Sequence, residues 1–171
     1  MGMFVSPTFN NLRDLFVNQL EDIYDAEKRL IDTLPKMADA SYSDELKQAF
    51  LNHLNETRGH VNRLEDIFRS LGIEPKRETC AAMKGLIKEG SDMIDAEGDP
   101  SVKDAALIAA AQRVEHYEIA VYGTLRAFAN HLGLPDLART LQDTLEEEGN
   151  ADKLLTEIAE SGVNVHAEGH V

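Results

Sequence analysis

Apolar residues recur at every third or fourth position along most of the chain, which is the period of an amphipathic helix. Short breaks rich in Gly, Pro and Ser divide this pattern into segments. Segments 10–40 and 44–71 are closely linked, as are 101–132 and 135–161, so each pair is predicted to form an antiparallel helical hairpin. A shorter amphipathic helix is predicted over 80–96, between the hairpins. The pattern therefore predicts an all-α protein, a four-helix bundle with a helical crossover segment.

Two residues near helix ends add detail to this plan. Pro35 is expected to kink the first helix or to leave a short second piece after it, because proline cannot donate the helical hydrogen bond. Gly162 is expected to end the last helix. The domain plan is then one domain over 1–171, with its core at about 10–161 and a mobile tail at 162–171.

Charge and composition limit the classes of binding partner that the protein can have. The 171 residues include 31 acids and 17 bases, a formal net charge of −14. Such a surface argues against nucleic acid and anionic membranes, since both are bound through Lys and Arg, and it favours cations. No run approaches the roughly 18 apolar residues of a transmembrane helix, and the first residues lack the features of a signal peptide. With Cys80 as the only cysteine, a cytoplasmic location is predicted.

Several carboxylates fall on the apolar stripes of the predicted helices, where an unpaired charge is unfavourable. Glu27 and Glu56 each lie about fourteen residues from the first turn, or roughly 21 Å at the helical rise per residue. Glu118 and Glu148 lie at about the same depth from the second turn by the same rise. Each pair is therefore predicted to face across its hairpin. Glu115 lies one turn from Glu118 on the same face.

Two further residues extend this set. His60 follows Glu56 by four residues, and Asp152 follows Glu148 by four. Carboxylates gathered in a low-dielectric core would repel one another or take up protons, and a pair of divalent cations removes that conflict. Hard oxygen ligands with one or two imidazoles suit iron or manganese. The predicted metal ligands are Glu27, Glu56, His60, Glu115, Glu118, Glu148 and Asp152.

Simpler interpretations exist for the individual residues. The run 146–148, three consecutive glutamates, is by itself typical of a solvated acidic face. His53 is interpreted as a partly buried core histidine, or as an outer partner that orients a ligand. His116 points about 100° away from Glu115 and is left out of the site. Tyr122 lies one turn from Glu118; core packing is its default interpretation, with a hydrogen bond to a ligand carboxylate as the alternative. The metal hypothesis depends on the four depth-matched positions taken together.

Five segments of the chain resemble the bacterial YciE/YciF family: 24–28 (YDAEK), 53–57 (HLNET), 104–111 (DAALIAAA), 114–122 (VEHYEIAVY) and 144–148 (TLEEE). The resemblance extends from about residue 10 to residue 160. It implies a ferritin-like, rubrerythrin-like fold. It also implies a stress-induced protein with ferroxidase-type activity. The ligand types favour two metal ions, iron first and manganese as the alternative, and the di-iron hypothesis adds dioxygen or peroxide as the partner.

The chain departs from the usual ferritin-like motif, in which His follows Glu by three residues. Gly59 and Ala151 occupy those positions, so the resemblance favours the five glutamates over His60 and Asp152 as ligands. Three functions stay open: a di-iron oxidoreductase, a manganese catalase-like enzyme, and a structural or interaction protein with a vestigial or structural metal site. Ala151 and Asp152 speak against the manganese enzyme, which usually has a histidine on each half. A homodimer is predicted, because long amphipathic helices often present a second apolar face.

Overall fold

The structure is a computed structural model that describes residues 7–169. Its helices confirm the all-α prediction, and no strand occurs among these residues. The first hairpin contains α1 and α2, the second contains α4 and α5, and α3 lies between them in the chain. The helices are α1 Leu12–Ala40, α2 Asp44–Ser70, α3 Ala81–Ile94, α4 Pro100–His131, α5 Pro135–Ile158 and α6 Asn164–Glu168.

The four long helices form the bundle, and α3 lies against its outer side. Within each hairpin the helices pack along their length, and the hairpins meet where α1 packs on α4 and α2 on α5. The crossover helix α3 packs against α1 and α4, with Met83 fully buried beneath it. A continuous apolar core joins all of these helices. None of the described helices combines the length and the apolar character needed to cross a membrane.

Glycine ends two of the long helices in the same way. Gly72 after α2 and Gly133 after α4 both have φ of 71°, the left-handed conformation that glycine adopts without steric cost. The amides of Ile73 and Leu134 then bond back to carbonyls five residues earlier. This Schellman arrangement satisfies the last carbonyls of each helix. It confirms the two stops predicted from the sequence.

The structure differs from the sequence prediction at two places. Helix α1 is one helix through Pro35, so no separate second piece follows the proline, because the proline removes one hydrogen bond while the buried Leu34 and Met37 hold the helix against the core. Gly162 does not end the last helix, which continues as a π-helical turn, Ala159–Val163, and then as α6. Burial of Val163 favours this continuation. Residues 170–171 of the predicted tail, and residues 1–6 at the N-terminus, lie outside the described residues.

Two buried aspartates connect separate segments of the bundle. Asp25 on α1 accepts hydrogen bonds from the side chains of Arg29 and Arg77 and from the backbone amide of Cys80, the residue that caps α3. Asp104 on α4 accepts from two amides of the first turn, at 2.8 and 2.7 Å. Both carboxylates have their charge and oxygen lone pairs matched by donors, as buried carboxylates normally do.

Candidate metal centre

Six titratable side chains from four helices converge in the middle of the bundle. They are Glu27 from α1, His53 and His60 from α2, Glu115 and Glu118 from α4, and Glu148 from α5. Four of them have no exposed surface, and the other two, Glu115 and His53, are 2% and 7% exposed. Such a concentration of ionisable groups in an apolar core is unfavourable unless cations or protons compensate it.

The six residues divide into two groups that share one member. His53, Glu115, Glu118 and Glu148 can place one ligand atom each within 4.8 Å of one another, and so can Glu27, His60 and Glu148. Glu148 directs its two oxygens to different groups. Its Oε2 lies 3.6 Å from Nε2 of His53, and its Oε1 lies 3.0 Å from Nδ1 of His60. This is the placement expected of a carboxylate that bridges two metal ions.

The atoms that face the centre are close together but poorly paired. No aligned hydrogen bond reaches either oxygen of Glu118 or of Glu148, or Nδ1 of His60. The same holds for Glu27 Oε2, His53 Nε2 and Glu115 Oε2, so the unpaired atoms belong to all six residues. Asp25 and Asp104, equally buried, have donors. The donors and lone pairs of the cluster thus converge on a shared space, which fits cations better than a hydrogen-bonded network.

Burial raises the pKa of the carboxylates on α1 and α4. Removal from water raises the pKa of Glu118 well above its ordinary value, and the charges of Glu148 and Glu27 add to this effect. The same loss of solvent raises the pKa of Glu115 to about 8 and that of Glu27 as well, although neighbouring histidines oppose it. These groups hold protons where no metal compensates them.

The neighbouring carboxylates raise the pKa values of both histidines. Burial works to lower the pKa of His53, but Glu115 and Glu56 outweigh it and raise the pKa to about 9. The nearby carboxylates of Glu148 and Glu27 likewise overcome burial and raise the pKa of His60 to about 11. Burial would raise the pKa of Glu148, yet the two histidines hold it below its ordinary value. The metal-free centre therefore balances its charge with protons.

Each histidine is also held from behind by a carboxylate. On the outer side of His60, Nε2 lies 2.9 Å from Oε2 of Glu147. Arg63 donates two hydrogen bonds, of 2.6 and 2.8 Å, to the same carboxylate. On the outer side of His53, Nδ1 lies 3.2 Å from Oε2 of Glu56. A carboxylate behind an imidazole keeps the proton on the outer nitrogen and leaves the inner nitrogen free to bind a metal.

The structure brings five of the predicted ligands into the centre and leaves two outside. Glu27, His60, Glu115, Glu118 and Glu148 converge as described. Glu56 does not join them, since its side chain is 46% exposed and contacts only the back of His53. Asp152 faces away and accepts a 3.2 Å hydrogen bond from Gln112, with His116 at 3.3 Å. The three-residue step from His53 to Glu56 turns about 60° short of a full circle, enough to carry Glu56 from the core to the helix flank.

Other contributors did not emerge from the sequence pattern. His53 lies in the centre, seven residues and two turns before His60 on the same face of α2. This spacing of two histidines within an apolar stripe is the signal that could have found it. Glu147 lies inside an acidic run and nothing in the sequence marks it. Tyr122 has the alternative role of hydrogen-bond donor, with its hydroxyl bonded to Oε1 of Glu27.

The donor set fits two divalent cations of the hard or borderline kind. Four carboxylates and two imidazoles, with one histidine in each group and Glu148 common to both, would suit iron or manganese better than soft metals. No thiolate takes part, because Cys80 instead contacts the hydroxyl of Tyr117 at 3.0 Å. The cluster can therefore hold metal, as the sequence pattern predicted.

Comparison with solved structures defines the fold. A ferritin-like, diiron-carboxylate protein from Bacillus anthracis str. Ames superimposes with a TM-score of 0.66 at 18% identity, covering 88% of this chain and 99% of that one. At this identity the likeness shows the fold alone. The molecule is thus an all-α, ferritin-like four-helix bundle of two antiparallel hairpins with a helical crossover segment.

Proteins with higher sequence identity to this chain identify its family. The chain belongs to the bacterial YciE/YciF family, because the family model described as domain of unknown function (DUF892) matches residues 11–168 and Protein YciF of Escherichia coli (strain K12) is 46% identical over 158 residues. That match covers 92% of this chain and 95% of YciF. The resemblance predicted from the sequence is confirmed.

Two solved structures with more than 40% sequence identity to this chain support its membership of this family. The structure of the E. coli stress protein YciF has a TM-score of 0.88 at 45% identity and covers 91% of this chain and 99% of its own. YcfI from Rhodopseudomonas palustris, described as a candidate structural protein, has a TM-score of 0.85 at 42% identity, with 90% and 98% covered. The bundle and its crossover are therefore shared with these relatives.

Proposed function

We propose that this protein is a di-metal carboxylate protein, with iron as the first choice, that couples oxidation of ferrous iron to reduction of dioxygen or a peroxide during stress. The observation that carries the proposal is the position of Glu148, with one oxygen directed to each histidine among buried ligand atoms that have no aligned hydrogen bond. A carboxylate shared in this way is suited to hold two ions close together.

The residues of the chain have distinct roles in this proposal. Glu115, Glu118 and His53 would hold one ion, Glu27 and His60 would hold the other, and Glu148 would contribute to both. Two bound ferrous ions would supply two electrons to an oxidant. The four carboxylates match the greater positive charge of oxidised iron, since anionic oxygen ligands favour the harder ion. Solvent would supply protons to the reduced oxidant, since the protons of Glu118 and the histidines leave when metal binds.

The cellular setting is part of the same proposal. The E. coli relative YciF is described as a stress protein, and we carry that role over to this chain. We retain the cytoplasmic location and the homodimer predicted from the sequence. Light scattering coupled to size exclusion measures the oligomeric state, and a monomer at micromolar concentration would contradict the homodimer.

Anaerobic titration with ferrous iron, followed by exposure to dioxygen or to hydrogen peroxide, tests the function. We expect two irons per chain and oxidation faster than the protein-free background. Glu148→Gln should abolish binding of the second iron. Glu146→Gln, at an exposed neighbouring position bonded to Gln142, should leave binding of both irons unchanged. Binding without accelerated oxidation would restrict the centre to a structural role. No binding, with melting unchanged by metal, would leave a vestigial site in a structural or interaction protein.

A manganese catalase-like activity is the second candidate, and one observation favours it. Such enzymes usually have a histidine on each half of the centre, and this protein has His53 in one group and His60 in the other. Ala151 and Asp152 no longer speak against it, because both histidines come from α2. Oxygen evolution from hydrogen peroxide by the manganese-loaded chain, lost in His53→Gln, would establish this activity in place of the iron reaction.

A further inference from the structure

A cavity of about 170 Å³ lies between α2 and α5, beside the candidate metal centre. Apolar side chains form much of its wall, including Phe50 from α2 and Leu154 and Leu155 from α5. Two amides, Asn52 and Asn150, add hydrogen-bonding groups. The cavity therefore combines an apolar surface with a few polar contacts, which is typical of a site for a small organic molecule.

The cavity reaches one half of the centre. His53 and Glu115 line it, and both belong to the group that includes Glu118. Their centre-facing atoms, Nε2 of His53 and Oε2 of Glu115, are themselves covered. The cavity is thus a chamber next to the ligands, separated from the metal positions by these two side chains.

The other half of the centre lies away from this cavity. His60 has no exposed surface, and Glu147 with Arg63 closes its outer side. None of the five residues Glu27, His60, Glu118, Glu147 and Arg63 lines the cavity. The two halves are therefore unequal, since the cavity adjoins the half that contains His53 and not the half that contains His60.

Size and charge indicate what this chamber holds. Its volume corresponds to about five water molecules at roughly 30 Å³ each, far more than dioxygen or hydrogen peroxide needs. Glu56 lines the cavity with a carboxylate that is 46% exposed, which disfavours anions. A neutral molecule with a short apolar group and one polar end matches both features.

We propose that the cavity between α2 and α5 binds a small organic hydroperoxide, with its alkyl group against Phe50 and Leu155 and its peroxide end toward His53 and Glu115. This substrate class rests on the proposed function. A hydroperoxide ROOH that accepts two electrons and two protons breaks its O–O bond and leaves the alcohol ROH and water. Two ferrous ions, each oxidised to ferric, would supply the electrons, and solvent would supply the protons.

Binding is tested first, without any redox step, on the full chain with no added metal. The probe is tert-butanol, the alcohol that corresponds to tert-butyl hydroperoxide, followed by NMR shifts of alanine and leucine methyl groups. We expect saturable shifts at Ala49 and Leu155. Ala151→Leu fills the cavity and should remove them, while Ala127→Leu, at a partly buried helix position that does not line the cavity, should keep them. Absence of saturable shifts in the wild type would overturn the proposal.

Reaction is tested next on the ferrous-loaded chain, with equal melting temperatures required of both variants. Ala151→Leu should slow oxidation by tert-butyl hydroperoxide at least about fivefold and change oxidation by hydrogen peroxide less than about twofold, since a filled pocket rejects the larger substrate. Equal slowing with both peroxides, or none, would overturn the substrate class and leave the proposed function standing. A wild type that binds iron but reacts with no oxidant would overturn the proposed function, and the substrate class with it.

Discussion

Nε2 of His60 lies 2.9 Å from Oε2 of Glu147, so the ring presents its other nitrogen, Nδ1, to the candidate metal centre. Arg63 fixes Glu147 in turn with a two-pronged contact. A carboxylate behind an imidazole sets both the tautomer and the ring orientation of a metal ligand. Glu147, in a run of acids with no distinguishing pattern, is therefore a positioning residue for His60.

Glu147→Gln should weaken one of the two metal sites. Glutamine keeps the size of the side chain but removes the charge that holds the proton on Nε2, and it leaves Arg63 without its ion-pair partner. Loss of such an outer partner costs about 10- to 100-fold in metal affinity. We expect a loss near the lower figure at the Glu27–His60–Glu148 half, measured by calorimetric titration with Mn²⁺.

Glu146→Gln is the matched control, because Glu146 is exposed and accepts a hydrogen bond from Gln142 on the same helix. It should leave both affinities within about twofold of the wild type, since an exposed charge contributes little at this distance. Equal weakening in both variants would attribute the effect to net charge and not to the orientation of His60.

Metal binding should release protons and strengthen as pH rises. In the metal-free centre burial raises the pKa of Glu118 far above its ordinary value, and the carboxylates raise the pKa of His53 to about 9. These groups are protonated at pH 7 and must lose their protons to bind a cation. We expect release of about two to four protons per pair of ions, because up to four ligand groups carry one. Calorimetry in buffers of different ionisation enthalpy counts them, and binding without proton release would contradict this assignment.

The fold could be predicted from the sequence because its signals are local. Apolar spacing identified each long helix, and Gly72 and Gly133 marked ends where a left-handed residue is required. Pro35 did not divide α1, and Gly162 did not end the last helix, because tertiary packing outweighed their local preference. A residue-by-residue signal cannot weigh the burial of Met37 or of Val163 against a lost hydrogen bond.

The site could be predicted in part, since depth along a helix follows from counting but rotation about its axis does not. Depth identified Glu27, Glu118 and Glu148. On α2 the same count selected Glu56, which lies on the helix flank, and set His53 aside as a core residue. An error of one residue turns a side chain by about 100°, so only the structure could separate ligands from the carboxylates behind them.

Asp25→Asn should destabilise the protein without affecting the metal centre. Burial works to raise the pKa of Asp25, but hydrogen bonds from Arg29, from the Cys80 amide and from Arg77 outweigh it and lower the pKa. A lowered pKa means that this stabilisation is present above the unfolded value, about 3.9, and is lost as pH falls through the folded value. At pH 7 we expect a loss of about 2–4 kcal/mol in unfolding free energy, because one partner of a buried ion pair has been removed.

Denaturant unfolding of metal-free Asp25→Asn and wild type at several pH values measures this loss. The difference should be constant from pH 6 to 8 and should shrink as the solution approaches pH 3, where the wild-type carboxylate also takes up a proton. Metal stoichiometry should stay at the wild-type value, since Asp25 bonds to Arg77 and Cys80 and not to the centre. A difference that grew on acidification would contradict the sign of the pKa shift.

Glu118→Leu should stabilise the metal-free protein and remove the stabilisation by metal. Both oxygens of Glu118 are buried without an aligned hydrogen bond, and its pKa is raised. A raised pKa means that the folded state binds the proton more tightly, so stability from this group is complete below the unfolded value and is lost as pH rises toward the folded value. Replacement of such a buried group by an apolar one of similar size is expected to add about 1–4 kcal/mol at pH 8.

Thermal melting with and without Mn²⁺ measures both the stability of the metal-free protein and its stabilisation by metal. Metal-free wild type should melt at a lower temperature at pH 8 than at pH 6, and Glu118→Leu should reduce that difference. Added Mn²⁺ should raise the melting temperature of the wild type, since a ligand that binds only the folded state stabilises it, and should do so far less in the variant. If Glu118→Leu and the wild type melted alike in all four conditions, Glu118 would have no part in a metal centre.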